Sequence, residues 1–90
     1  MTFREGTAEQ FKEIFHGSKN RIRESRGCIF LELLQDNENP NLFMTYSVWS
    51  SQSDLDKYRD SELFKTTWAA TKALFASPAE VHSMHRIEKA

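Results

Sequence analysis

Cys28-Ile29-Phe30-Leu31-Glu32-Leu33-Leu34-Gln35, followed by Asp36-Asn37-Glu38-Asn39-Pro40-Asn41 and then Leu42-Phe43-Met44-Thr45-Tyr46-Ser47-Val48-Trp49, is the stretch that decides the fold. The outer segments are rich in apolar, β-branched and aromatic residues. The middle is built from residues that favour turns, each for its own backbone reason. Strand, short polar connector and strand make a hairpin over 28–49. Both strands are apolar on both sides. Ile29, Leu31 and Leu33 point one way, and Phe30 and Leu34 the other. An antiparallel sheet with one wet face should alternate more cleanly, so the second face needs a cover, and a second copy packed sheet to sheet is the most economical one.

Outward from the hairpin, the pattern changes period. Upstream, Ala8, Phe11, Ile14, Phe15 and Ile22 recur at helical spacing, with Glu9, Lys12, Glu13 and Lys19 outside. Thr7-x-x-Gln10 reads as the capping box of that helix and Gly27 as its stop. Met1–Arg4 reads as the end of a first strand. Downstream, Ser51-x-x-Asp54 caps a second helical region, which breaks and restarts near Asp60-Ser61. Phe64, Thr67, Trp68, Thr71, Leu74 and Phe75 then form one inward stripe, stopped by Ser77-Pro78. Residues 79–87 alternate weakly and read as a last strand. The order is βαββαβ, an α+β ferredoxin-like plan of four antiparallel strands with helices on one face.

Composition narrows the function. Ninety residues make one domain, 1–90, whose folding hides roughly two-thirds of its surface, so the core is thin. Twelve basic and 13 acidic residues leave a net charge of −1 with no basic block, which argues against nucleic acid as a partner. Lys19, Arg21, Arg23 and Arg26 cluster late in a helix, where cations suit the dipole. The chain opens with no apolar leader, and no stretch approaches the roughly 20 apolar residues of a membrane span. The single Cys28 allows no internal disulfide and fits a reducing cytoplasm. Opening an apolar run, it reads as a buried small side chain rather than a nucleophile.

The remaining chemistry lies in aromatics and histidines. Tyr46, Trp49, Tyr58, Phe64 and Trp68 are candidate walls of a substrate pocket, with a plain core role as the competing reading. His82 or His85 is the candidate catalytic base, since imidazole titrates near neutral pH. Three apart on a strand, the two face opposite sides and cannot hold one metal together, and no metal or other cofactor is expected. His16 falls on the outer side of its helix. Glu32 shares a side with Phe30 and Leu34. It needs a donor across an interface if that side is covered, or else it lies near solvent at a strand edge.

Several of these pieces resemble one family in order along the chain. Arg26-Gly27-Cys28 before a strand is similar to the Pro-Gly-Cys often found there in antibiotic-biosynthesis monooxygenase domains. Residues 36–40 resemble the family's hairpin, Phe43-x-x-Tyr46-x-x-Trp49-x-Ser51 its third strand, and Leu55-x-x-Tyr58-x-x-Ser61-x-x-Phe64 its next helix and restart. The resemblance implies a dimeric α+β barrel with one pocket per subunit, between sheet and helices. It also implies cofactor-independent oxygenation of a small phenolic, quinol or enolic compound, or a related isomerisation. The heme-degrading branch is disfavoured. Its Trp falls on Tyr58 and its His on Trp68, and an indole nitrogen has no lone pair free to bind iron. The family's first strand usually begins several residues earlier, so the sequence is expected to begin inside that strand. The competing function is a dimeric module that binds a small ligand without turning it over. The RNA-recognition and acylphosphatase variants of the plan lack their motifs here.

Overall fold

A computed structural model describes residues 1–90. Three helices, α1 (Ala8–Arg23), α2 (Gln52–Arg59) and α3 (Glu62–Lys72), lie with a hairpin of β1 (Cys28–Gln35) and β2 (Phe43–Trp49). The extents are 36 × 35 × 21 Å, the thin dimension being what one helical layer on one sheet layer requires.

The hairpin forms over the residues its sequence marks. Leu34 faces Met44, Glu32 faces Tyr46 and Phe30 faces Val48 on one side, while Leu33–Thr45 and Leu31–Ser47 share the other. A register irregularity between Cys28 and Phe30 twists its far end. Asp36 Oδ2 accepts from the backbone N–H groups of Glu38 and Asn39 and shapes the connector.

The flanks of the hairpin differ from expectation. Residues 1–4 form two isolated bridges rather than a strand: Thr2 opposite Leu42 and Phe3 opposite Phe75. Backbone bonds from Phe43 N–H to Met1, Arg4 N–H to Leu74 and Ala76 N–H to Thr2 fix them. The pairing after α3 therefore comes at Phe75, and residues 79–87 form no strand. Pro78, three residues beyond the bridge at Phe75, has no N–H to donate to a ladder and interrupts the pairing there. The sheet present is two-stranded, extended by two bridges.

The caps also divide. Ser51 and Ser61 accept from the N–H groups of Asp54 and Phe64 and start α2 and α3 as their spacing predicts. The Thr7 box does not form, because the Thr7 hydroxyl donates instead to the Arg4 and Leu74 carbonyls. That ties the entry of α1 to the end of α3. Gly27 stands at φ +85° between α1 and β1, and a Cβ there would run into the side chain of Asp54. Only glycine fits both demands.

The fully dry core is small. Phe3, Phe11 and Phe43 bury themselves against one another, Phe3 and Phe11 stacked at 4.3 Å, with Phe15, Leu33, Leu74 and Phe75 packed around them. The outer face of the hairpin stays open. Phe30 is 41% exposed, Leu34 43%, Met44 60% and Tyr46 46%.

Candidate functional site

From the phenylalanine core, an unbroken run of rings leads into a hollow. Phe3 touches Phe75 at 5.3 Å, Phe75 meets Trp68 at 5.6 Å, and Trp68 lies parallel to Phe64 at 6.0 Å. Phe64 then stands edge-on to Tyr58 at 5.3 Å, and Tyr58 stacks on Trp49 at 4.9 Å. Helical spacing places Phe64 and Trp68 on one side of α3, four residues apart. The Asp60-Ser61 break lets α2 turn Tyr58 toward them. The end of β2 supplies Trp49.

These four rings line a cavity of about 210 Å³ between the helices and the inner face of the hairpin. Leu31, Thr45 and Ser47 form its sheet side, and Ile14 and Phe15 of α1 close another wall. The Trp49 Nε1–H donates to Ser47 Oγ at 3.1 Å, which holds the indole plane. Thr67 and Thr71 add hydroxyls from α3, though that of Thr71 donates back to the Thr67 carbonyl. The ionisable side chains of the lining are Tyr58 and Arg59. Burial pushes the Tyr58 phenol up to about 12, with the nearby Cys28 thiol adding to the shift. Tyr58 is therefore neutral near pH 7 and acts as a hydrogen-bonding group, not a base. Burial likewise raises the Cys28 thiol, against a partial opposing pull from Arg23, whose guanidinium donates to the Cys28 carbonyl. The structure fits a packed thiol rather than a reactive one.

Trp49, Tyr58, Phe64 and Trp68 thus come together, and three other named residues do not join them. Tyr46 is on the opposite face of the hairpin, edge-on to Phe30 at 5.8 Å. The strand period requires this, since residues three apart cannot share a side and Trp49 takes the inner one. His82 lines a second, open cleft of about 550 Å³ with Asp36, Met44 and Pro78, its Nε2 lying 3.5 Å from Glu80. Its neighbour Val81 turns the other way, into the aromatic cavity. His85 is exposed and lines neither space. Without a strand over 79–87, nothing aims an imidazole at the rings. The polar groups that do reach the cavity, Thr45, Ser47 and Arg59, were missed from sequence. The signal was available for the first two, as alternate β2 positions that turn small and polar on the helix-facing side.

The arrangement offers flat rings, hydroxyl groups and one cationic side chain around a space suited to a planar organic molecule. No group of three or more metal-binding side chains is present, and no helix is long and apolar enough to cross a membrane.

Comparison with known proteins gives the fold and the family. An antibiotic biosynthesis monooxygenase crystal structure superposes with a TM-score of 0.89 at 16% identity, covering 97% of this chain and 92% of that one. Rv0793 from Mycobacterium tuberculosis gives 0.89 at 17% identity, covering 99% and 90%. PA3566 from Pseudomonas aeruginosa gives 0.75 at 23%, covering 86% and 78%. At these identities the likeness establishes an α+β fold of this type and no more. Curated proteins yield no match. The family model described as antibiotic biosynthesis monooxygenase matches residues 1–70. This span takes in the hairpin and all four rings, Trp49, Tyr58, Phe64 and Trp68, and the chain belongs to the antibiotic biosynthesis monooxygenase family.

Proposed function

We propose that the chain is a cofactor-independent monooxygenase of a small phenolic, quinol or enolic compound, held in the cavity walled by Trp49, Tyr58, Phe64 and Trp68. The observation that supports this most is the set of rings facing an unfilled space beside hydroxyl groups. Such a substrate supplies its own electrons. Loss of its O–H proton leaves an electron-rich anion, which passes one electron to O₂. The resulting radical pair joins as a peroxide anion, which takes back a proton to become a hydroperoxide, and loss of water across its C–H and O–O bonds gives a carbonyl. The protein's part is to bind the flat molecule, favour the anion and exclude water.

A binding module that does not turn its ligand over is the second reading. It is favoured by one observation: the lining contains neither carboxylate nor imidazole, while His82 and His85 lie elsewhere. Oxygen uptake with a panel of quinols and hydroxyanthrones separates the two. The oxygenase reading expects uptake that falls at least about tenfold in Trp68→Ala, as loss of a positioning wall should cause, and persists in His82→Ala. Ligand binding without uptake would favour the module. Uptake indifferent to Trp68→Ala would remove this cavity from the chemistry.

We also propose that the two bridges mark the other two strands of the four-stranded ferredoxin-like plan, residues 1–4 lying between the hairpin and an edge segment at Phe75. In that plan a second copy covers the outer face of the hairpin as a homodimer. The exposed Phe30, Leu34, Met44 and Tyr46 support this, because a contiguous apolar patch is costly to leave wet. Sedimentation should give a dimer that Met44→Lys weakens; a monomer at all concentrations would refute it.

A further inference from the structure

The cavity has one feature that an apolar hollow does not need. Arg59, the last residue of α2, is half-buried and lines it next to Tyr58, the only charged side chain among its walls. Its guanidinium has no partner in the protein. The chain's ion pairs are Lys12–Glu9 and His82–Glu80, and no side-chain hydrogen bond involves Arg59. The acids nearest in sequence do not pair with it: Asp60 and Glu62 form no ion pair, Asp56 accepts from Gln52, and Asp54 accepts from Ser50. Nor does a ring satisfy it, since the cation–π contact of the molecule is Lys12 over Phe43.

A guanidinium set among aromatic walls has five N–H donors in a planar fork and keeps its positive charge. Leaving it partly desolvated without an anion is unfavourable. We propose that Arg59 receives the negatively charged oxygen of a planar aromatic ligand, so that the cavity selects aromatic oxyanions over their neutral counterparts. This rests on the cavity being the ligand site, and it names the ligand's charge. For a phenol or enol the consequence is chemical. The O–H bond breaks, the proton leaves to solvent water, and the electron pair stays on oxygen against Arg59. The site would then favour the anion by charge stabilisation where no base lines it.

The test uses the two tryptophans of the chain, both in the cavity, as the reporter. Naphthoate and the neutral naphthylmethanol are titrated against the protein, Arg59→Gln and Arg59→Lys by fluorescence quenching. The protein should bind naphthoate about 10- to 100-fold more tightly, the range expected of charge-assisted hydrogen bonds. Arg59→Gln should erase the preference while leaving the alcohol's affinity unchanged, and Arg59→Lys should restore part of it. Equal binding of both ligands by the protein, or a preference that survives in Arg59→Gln, overturns the inference and leaves the cavity standing as a site. Failure of both ligands to bind overturns the cavity reading, and this inference with it.

Discussion

The molecule has two aromatic regions, joined through Phe75, and they behave oppositely. At one end Phe3, Phe11 and Phe43 close on each other as a buried cluster. At the other, Trp49, Tyr58, Phe64 and Trp68 stand around a hollow. Ring chemistry does not make the difference, since all seven are large and flat. Their neighbours do. Around the core the gaps are filled by Leu33, Leu74 and Phe75, whereas the positions around the hollow include the small, polar Thr45, Ser47, Thr67 and Thr71. Small side chains between large ones leave rings nothing to pack against on one side, and a site results where a core would otherwise form.

Truncating one ring at each end should therefore have unequal effects. Phe11→Ala removes a buried wall of a filled core and should cost about 3–5 kcal/mol in denaturant unfolding. Trp68→Ala opens a space that is already partly empty and should cost clearly less, while quenching-based ligand binding fails. Equal losses would erase the distinction between core and site.

Enlarging a small residue gives the reverse contrast. Thr67→Leu grows into the hollow with a better helix former, so stability should hold or rise by up to about 1 kcal/mol while ligand affinity drops. Ala8→Leu, against the phenylalanine core, should instead lose about 1–3 kcal/mol by overpacking. Thermal unfolding of both variants decides it, and a Thr67→Leu protein as damaged as Ala8→Leu would mean that no usable space exists.

The smallest effect is electrostatic. An unfolded tyrosine ionises near pH 10, whereas burial holds folded Tyr58 up to about 12. The folded state thus keeps a proton that the unfolded state has lost. Stability contributed below pH 10 is forfeited as pH rises from about 10 toward 12. Tyr58→Phe should flatten that part of the stability profile, as urea midpoints across the range would show. A profile unchanged by Tyr58→Phe would mean that the ring is wetter than its burial implies.

Much of this was legible in the sequence where one local rule governs. The Cys28–Gln35 strand, the Ser51 and Ser61 caps and the inward stripe of α3 follow from period and hydrogen-bonding chemistry alone. What failed depends on partners distant in sequence. Thr7 spends its hydroxyl on the carbonyls of Arg4 and of Leu74, 67 residues away, instead of on its own helix. Residues 79–87 alternate like a strand but meet no strand to pair with. With that strand gone, His82 and His85 lose the geometry that would have aimed one of them inward. Tyr46 was a different error. Its spacing from Trp49 puts the two on opposite faces, so strand period overrides aromatic character. Arg59 had no local signal at all, because only the turn between α2 and α3 brings the end of α2 to the cavity.

The indole N–H resonances of Trp49 and Trp68 offer the most direct test of where a ligand goes. Adding a hydroxyanthrone to isotope-labelled protein should shift both indole signals and the amides of Thr45 and Ser47, with Phe30 and Tyr46 on the outer face unmoved. Shifts confined to the outer face, or to the His82 cleft, would contradict the aromatic hollow as the site.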